Sequence, residues 1–189
     1  RVRAHPDSTR QRQLRHWKQR LSMPHVPLNL PWDTPRMPGM PPCGEVLRHD
    51  LGGALRQRLE EFSRANGVTV YTVLLGAFKV LLHRYTGQGD ISVGSSVDVR
   101  QPGFSDSVGY LVNQVVLKSR LDSGASFSAF LHQLKAVCVE ARSCQDYPFA
   151  RLVQHVRPDR EDARSPLFEV MFNHLRPSRA EGAGALAAQ

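Results

Sequence analysis

The 189-residue chain carries 25 Lys and Arg against 17 Asp and Glu, and 41% of its residues are hydrophobic. This length and hydrophobic share suffice for a folded core and exclude a wholly disordered chain. No run approaches the ~18 consecutive apolar residues of a membrane helix, so a membrane-spanning protein is excluded. The three cysteines form no C-x-x-C pair and no apolar leader lies near the start, so a disulfide framework and secretion are not expected. A reducing cytoplasm fits best.

The net charge of +8 is concentrated at one end of the chain. Residues 1–20 hold seven cations and a single anion, whereas residues 21–149 and residues 150–189 each carry a net charge of +1. Because the body of the chain is nearly neutral, the basic character indicates a solvated terminus. We therefore expect neither a nucleic-acid partner nor a membrane partner.

The N-terminal region combines a short helix with a proline-rich run. Leu14, Trp17 and Leu21 follow helical spacing and predict an amphipathic helix over about Thr9–Leu21. The proline-rich run over 24–42 is predicted to be an extended linker, because proline neither continues a helix nor donates to a strand ladder. The chain is accordingly divided into a linker helix and connector (1–43), a folded core (44–178) and a flexible tail (179–189).

The core shows alternating helix and strand patterns. The expected elements are a strand at Glu45–Leu51, a helix at Gly52–Asn66, a helix capped by Thr69 that runs to about Tyr85 and is buried on most of its circumference, a strand at Ile91–Val97, an extended run at Tyr110–Leu121, a helix that begins after Ser126, a short helix at Ala150–Val156 and a final strand containing Phe168, Val170 and Phe172. In the run Tyr110–Leu121, Lys118 and Arg120 are expected on the polar face. The fold class is therefore α/β.

Residue chemistry alone predicts no catalytic centre. Gly94-Ser95-Ser96 does not complete a G-x-S-x-G nucleophile elbow, and Gly87-Gln88-Gly89 lacks the third glycine of a dinucleotide loop. The eight histidines include no H-x-x-x-H pair, so no helical zinc site is indicated and no metal is expected.

Several segments, in their order along the chain, are nevertheless distinctive. They are Asp90–Arg100 followed by Val108–Asn113, Gln145–Phe149 before Leu152-Val153, and Arg164–Phe168 before Val170–Phe172, with Trp17, Leu28, Leu30-Pro31, Asp33 and Pro35-Arg36 upstream. Together they resemble the condensation domains of nonribosomal peptide synthetases. The resemblance extends over about Leu14–Leu175.

The resemblance implies a chloramphenicol-acetyltransferase-like fold, in which a mixed sheet is flanked by helices. Whole domains of the family pair two such subdomains around a tunnel and form amide bonds between carrier-tethered acyl or peptidyl and aminoacyl thioesters. No cofactor would bind directly, since the substrates are carried on phosphopantetheine arms. The implied partners are peptidyl or acyl carrier domains and an N-terminal subdomain that carries the motif HHxxxDG.

The motif HHxxxDG is absent, because the chain contains no His-His pair and no Asp-Gly dipeptide. We therefore expect an incomplete piece of a condensation domain, mostly its second subdomain, that is inactive alone. A second interpretation is a non-catalytic condensation-like module that binds carrier domains or tailoring enzymes. A third, a basic protein unrelated to peptide synthetases, would require salt-sensitive nucleic-acid binding.

The resemblance also suggests roles for individual residues, none of them catalytic. Arg100 would either pair with the Asp of HHxxxDG across the subdomain seam or make a local contact. Asn113 would either bond substrate backbone or bond its own loop. Pro148 would open the short helix, capped by Gln145 and Asp146. The motif residues expected to be mainly structural are Gly94, Gly109, Gln145, Asp146, Pro148, Phe149, Arg164, Pro166 and Phe168.

Overall fold

The computed structural model of the chain describes residues 7–22, 26–31, 44–100, 103–104, 107–156 and 167–175. Its elements are, in chain order, α1 (Asp7–Arg20), α2 (Gly52–Ala65), α3 (Val70–Thr86), β1 (Asp90–Asp98), β2 (Val112–Arg120), α4 (Phe127–Ser143) and α5 (Phe149–Val156). Arg164, Pro166, the expected tail and most of the proline-rich connector lie outside these ranges.

The sheet is built around one antiparallel hairpin. β1 and β2 pair over their full length, with Asp90 opposite Arg120 and Asp98 opposite Val112. On the other edge of β1, Met171 forms a parallel bridge to Gly94. The N–H of Gly94 donates to the carbonyl of Val170 at 2.9 Å, and the N–H of Phe172 donates to the carbonyl of Gly94 at the same distance. The result is the mixed sheet flanked by helices that the resemblance implied.

Helices cover both faces of the hairpin. The consecutive residues Val115, Val116 and Leu117 are all buried, although alternate residues of a strand point to opposite faces. α4 packs on β2, α3 packs on α4 and β1, and α5 packs on β2 and α1. The expected polar face of β2 is therefore confined to its end, where Lys118 is half-buried and Arg120 is exposed.

α3 and α4 begin directly after the residues that the sequence predicted, Thr69 and Ser126. Thr69 Oγ1 accepts from the N–H of Thr72, and Ser126 Oγ accepts from the N–H of Ala129, both at 3.2 Å. At the end of α3, Gly87 adopts φ +69° and its N–H donates to the carbonyl of His83.

Within the described ranges, no single helix is both long and apolar enough to cross a membrane. α2 and α3 meet that measure only as a pair, with a bend of 101° between them.

The helix predicted near the N-terminus packs into the core. Trp17 is only 2% exposed, and its Nε1 donates to the carbonyl of Cys144 at 3.0 Å. Gln13 Nε2 donates to the carbonyl of Ser143 at 3.4 Å. These two donors satisfy backbone carbonyls that the end of α4 would otherwise leave without a helical partner. α1 therefore belongs to the same core as the hairpin.

The strand predicted at Glu45–Leu51 is wrong. Residues 44–51 form no strand, and the side chains of Val46 and Leu47 are 80% and 95% exposed. A short apolar run becomes a strand only where a sheet edge can pair with it and a core can cover it. Among the described residues, no strand pairs with this run, and its exposed side chains show that no core covers it.

The final strand is shorter than predicted, because only Met171 bridges to the sheet. The rings of Phe172 and Tyr71 lie 5.5 Å apart, so Phe172 packs on the α3 side. Phe168 lies over the other face, where the missing Cβ of Gly94 would point. The alternation predicted for Phe168 and Phe172 therefore fails, since the chain bends at Glu169 between them.

Gly94 is required by the close approach of the Phe168 ring. A Cβ placed on Gly94 would lie 2.6 Å from Cζ of Phe168, well inside van der Waals contact. Both residues are buried, so the ring has little room to move. Glycine at this position lets the segment before Met171 lie flat on β1.

We predict that Gly94→Ala lowers the free energy of unfolding by about 1–3 kcal/mol, because the added methyl group forces the Phe168 ring out of its site. Urea titration followed by circular dichroism measures the change. Gly109→Ala is the matched control, since nothing lies within 4 Å of a Cβ at Gly109, and it should change stability little. Equal stabilities for the two variants would contradict the packing argument.

Candidate functional site at the closed end of the hairpin

Four of the expected site residues meet where the β1–β2 hairpin closes. We call the group Asp98, Arg100, Asn113, Gln145 and Phe149 the loop-end cluster. Asn113 Nδ2 donates to the carbonyls of Gln145 and Tyr147 at 2.7 and 2.8 Å. The N–H of Phe149 donates to Asn113 Oδ1 at 3.1 Å. One half-buried amide thus fixes the whole turn between α4 and α5 to the start of β2.

This geometry corrects the expectation that Asn113 bonds its own loop. Its partners lie 32 to 36 residues further along the chain. Both hydrogens of its amide group already have backbone acceptors, and its oxygen caps the first N–H of α5. The cap expected from Gln145 is therefore supplied by Asn113, and Gln145 Nε2 reaches the carbonyl of Asp98 at 3.4 Å. Asp146 lies half-buried in the same turn.

Arg100 lies at the exposed edge of the cluster. Its backbone N–H donates to Asp98 Oδ1 at 2.8 Å, and the next residue back, Val99, donates to the carbonyl of Leu111 at 3.0 Å. The backbone that carries Arg100 is thereby fixed to both strands, while its side chain is exposed. Gly109 is exposed in the connecting loop, and no atom lies within 4 Å of a Cβ placed there.

Aromatic packing joins the cluster to the sheet. The rings of Phe149 and Phe168 lie 5.5 Å apart at an angle of 41°, and Phe168 in turn covers Gly94. Pro148 directly precedes α5, and its carbonyl accepts from the N–H of Leu152 at 3.0 Å. Residues from three distant motifs therefore form one continuous set of contacts.

A buried amine lies beneath the hairpin, and the sequence indicated no role for it. Lys79 Nζ donates to the carbonyls of Ile91 and Leu117 at 2.9 and 2.7 Å, and its side chain is fully buried. Burial lowers the pKa of Lys79 to about 7, because the charged ammonium loses its water. Burial also raises the pKa of the Cys138 thiol on α4 to about 11. The sequence predicted only that the helix carrying Lys79 is buried on most of its circumference.

The sequence did not predict the contacts of two further side chains, Gln88 and Glu169. Gln88 Oε1 accepts from the N–H of Asn29, and Gln88 Nε2 donates to the carbonyl of Pro27. Glu169 Oε2 accepts from the N–H of Leu28. We call residues 26–31 the connector strap. From the sequence, Gln88 was considered only as part of Gly87-Gln88-Gly89, which is no dinucleotide loop, and no local pattern reports a partner about 60 residues away.

The side chains of the loop-end cluster hold backbone segments in place. Each of the hydrogen bonds of Asn113 and Gln145 described above involves a backbone atom. Within the described residues, no three His, Cys, Asp or Glu side chains gather closely enough to hold a metal ion. The cluster is suited to presenting Arg100 and the adjoining loop in a fixed position.

Residues 3–177 match the family model of the condensation domain. The chain belongs to the condensation-domain family. Linear gramicidin synthase subunits D and B of Brevibacillus parabrevis are 36% and 38% identical to it over 174 and 161 residues, which are 91% and 85% of this chain. Phosphinothricin tripeptide synthetase PhsC of Streptomyces viridochromogenes is 33% identical over 160 residues.

This condensation-domain chain spans only a small part of those relatives. It covers 3% of each gramicidin synthase subunit and 15% of PhsC. Among solved structures, it superimposes on a four-domain nonribosomal peptide synthetase bound to AMP and glycine with a TM-score of 0.84, at 23% identity, over 93% of this chain and 13% of that one. The X-domain from teicoplanin biosynthesis gives 0.76 at 22% identity, over 88% and 37%. These likenesses confirm the fold.

We predict that Asn113→Ala destabilises this condensation-domain chain by about 3 kcal/mol, since it removes three hydrogen bonds to backbone groups of buried or half-buried residues. Chemical denaturation measures the loss. Asn113→Asp retains an acceptor for Phe149 but turns a carboxylate toward the carbonyls of Gln145 and Tyr147, so it should be no more stable than Asn113→Ala. A wild-type stability in either variant would contradict the assignment.

We predict that stability rises with pH from 7 to 8.5 because of Lys79. In this range the unfolded lysine, with its ordinary pKa of 10.5, holds a proton that the folded amine has lost. The unfolded state therefore binds more protons, and the free energy of unfolding increases by up to about 1.4 kcal/mol per pH unit. The upper limit of pH 8.5 keeps the measurement below the ordinary pKa of 9.0 of the Cys138 thiol, whose raised pKa has the opposite effect above it.

Chemical denaturation at several pH values tests the effect of Lys79. Lys79→Met should flatten the slope, because no amine remains to titrate at that position. Lys135→Met is the control, since Lys135 is exposed, and it should keep the wild-type slope. A slope that persists unchanged in Lys79→Met would show that another group causes it.

Proposed function

We propose that the chain is part of a condensation domain that forms amide bonds between carrier-tethered acyl or peptidyl and aminoacyl thioesters. The observation that carries the proposal is the match of residues 3–177 to the condensation-domain family. The named relatives are synthetases of peptide products, which agrees with amide-bond formation. The acceptor amine would attack the thioester carbonyl carbon, a C–N bond would form, and the carrier thiol would leave.

The substrates would arrive on phosphopantetheine arms of carrier domains, which are the proposed partners. The chain itself would supply scaffold rather than acid–base chemistry. The loop-end cluster supports this division, because the hydrogen bonds of Asn113 and Asp98 hold backbone groups, and Arg100 lies at the exposed edge of the cluster. We assign Arg100 to the seam with a subdomain that carries HHxxxDG, where its guanidinium would bind the Asp of that motif by charge-assisted hydrogen bonds.

The chain alone is proposed to be inactive. Its 189 residues contain no His-His pair and no Asp-Gly dipeptide, so the motif HHxxxDG is not among them. Without that motif, no histidine pair is available to orient the amine or to assist its proton transfer.

A second candidate function is a non-catalytic module that recruits another protein. The observation that favours it is the likeness to the teicoplanin X-domain, which has also been solved in a complex with OxyB. Such a module would bind a carrier domain or a tailoring enzyme and would form no amide. The two candidates therefore differ in whether product appears once a subdomain with HHxxxDG is present.

We predict that the 189-residue chain forms no amide from donor-loaded and acceptor-loaded carrier proteins, and that adding the HHxxxDG subdomain of its parent protein in trans yields product. Mass spectrometry of the released product measures both reactions. Product from the chain alone would contradict the proposed inactivity. No product in the combined reaction, together with carrier binding, would favour the recruiting module.

Arg100→Ala should slow the combined reaction, and Arg84→Ala on exposed α3 surface is its matched control.

A further inference from the structure

The connector strap is held by side chains that take the place of a neighbouring strand. Gln88 bonds two groups of the strap at once, accepting from the N–H of Asn29 at 2.8 Å and donating to the carbonyl of Pro27 at 2.9 Å. An adjacent β-strand would offer the same pair of one donor and one acceptor. A single glutamine side chain thus makes the two hydrogen bonds that a residue of a neighbouring strand would make.

Glu169 binds the residue between these two. Its Oε2 accepts from the N–H of Leu28 at 2.9 Å, and the carboxylate makes this bond stronger than one between neutral groups. The Leu28 side chain is buried in the main core, and Leu30 packs against that core. Three consecutive residues of the strap are therefore fixed by hydrogen bonds, and apolar contacts add to them.

Gln88 and Glu169, which we call the clamp, are themselves held in place. The N–H of Gln88 donates to Thr86 Oγ1 at 3.2 Å, and its carbonyl accepts from His83 Nδ1 at 2.9 Å. Glu169 lies between Phe168, which packs on Gly94, and Val170, whose carbonyl accepts from the N–H of Gly94. The clamp is thus anchored at the end of α3 and at the middle of β1.

We propose that Gln88 and Glu169 are positioning residues, which fix the connector strap to this half of the condensation domain and thereby set where the preceding half lies relative to the loop-end cluster. This inference rests on the proposed function for its effect on the reaction. The clamp itself is independent of that function, because it is a property of the 189-residue chain. The clamp hydrogen bonds all involve backbone atoms of the strap, so the clamp recognises an extended path rather than particular strap side chains.

The clamp is tested by amide hydrogen exchange of the 189-residue chain, followed by NMR. Gln88→Ala should speed exchange at the N–H of Asn29, and Glu169→Ala at that of Leu28, each by about tenfold, as expected for one lost hydrogen bond. Gln57→Ala, in an exposed residue of α2, is the matched control and should leave both amides unchanged. Glu169→Gln keeps an acceptor oxygen and should retain most of the protection.

If Gln88→Ala does not fold, Gln88→Leu is the substitute, because it keeps the bulk of the side chain and removes both hydrogen bonds to the strap. It should speed exchange at the N–H of Asn29 relative to Gln57→Ala. Unchanged exchange at Leu28 and Asn29 in the folded variants would overturn the clamp.

The effect on the reaction is tested in the full-length parent protein. Gln88→Ala and Glu169→Ala should lower kcat for amide formation about tenfold while KM for the loaded carriers stays within about twofold, and Glu169→Gln should restore the rate. Full rates in both alanine variants, equal to that of Gln57→Ala, would overturn the positioning role and leave the proposed function standing. A wild-type parent that forms no amide would overturn the proposed function, and hydrogen exchange would still decide the clamp.

Discussion

The amine of Lys79 joins three elements of the fold at one point. Its stem comes from α3, and its nitrogen bonds one carbonyl of β1 and one of β2. A neutral amine has two N–H groups, so the two carbonyls match its donors. A shift of α3 along the hairpin would break both bonds and leave buried polar groups without partners, which is costly. The position of α3, and of the turn at Gln88 that follows it, depends on this contact.

The motif residues acquire a physical meaning once they are seen together. Gly94 admits the Phe168 ring, that ring packs on Phe149, and the start of the helix at Phe149 is capped by Asn113. Each residue satisfies a steric or hydrogen-bonding demand made by another that is distant in the sequence. The motif residues among the described ranges therefore form one assembly that holds the sheet, the turn before α5 and the start of β2 together.

Local signals in the sequence predicted the helices well and the long-range contacts poorly. Thr69, Ser126 and Gly87 act within four residues of themselves, so capping and left-handed turns can be recognised from short patterns. The run Glu45–Leu51 has the composition of a strand, but composition does not report whether a sheet edge is available. The partners of Asn113, Gln88 and Glu169 lie 32 to 141 residues away, and no short pattern encodes them. The family resemblance identified Asn113, whereas the two clamping residues needed the structure.

The way in which the connector strap is bound has a consequence for recombining synthetases. Because Gln88 and Glu169 bond only its main chain, substitutions in the strap should be tolerated wherever the backbone stays extended and an apolar side chain occupies the site of Leu28. With a crossover point before the strap, the strap and the clamp residues Gln88 and Glu169 come from the same parent. With a crossover after the strap, the strap comes from one parent and Gln88 and Glu169 come from the other. The two parents must then agree in the main-chain path of the strap and in an apolar side chain at the site of Leu28.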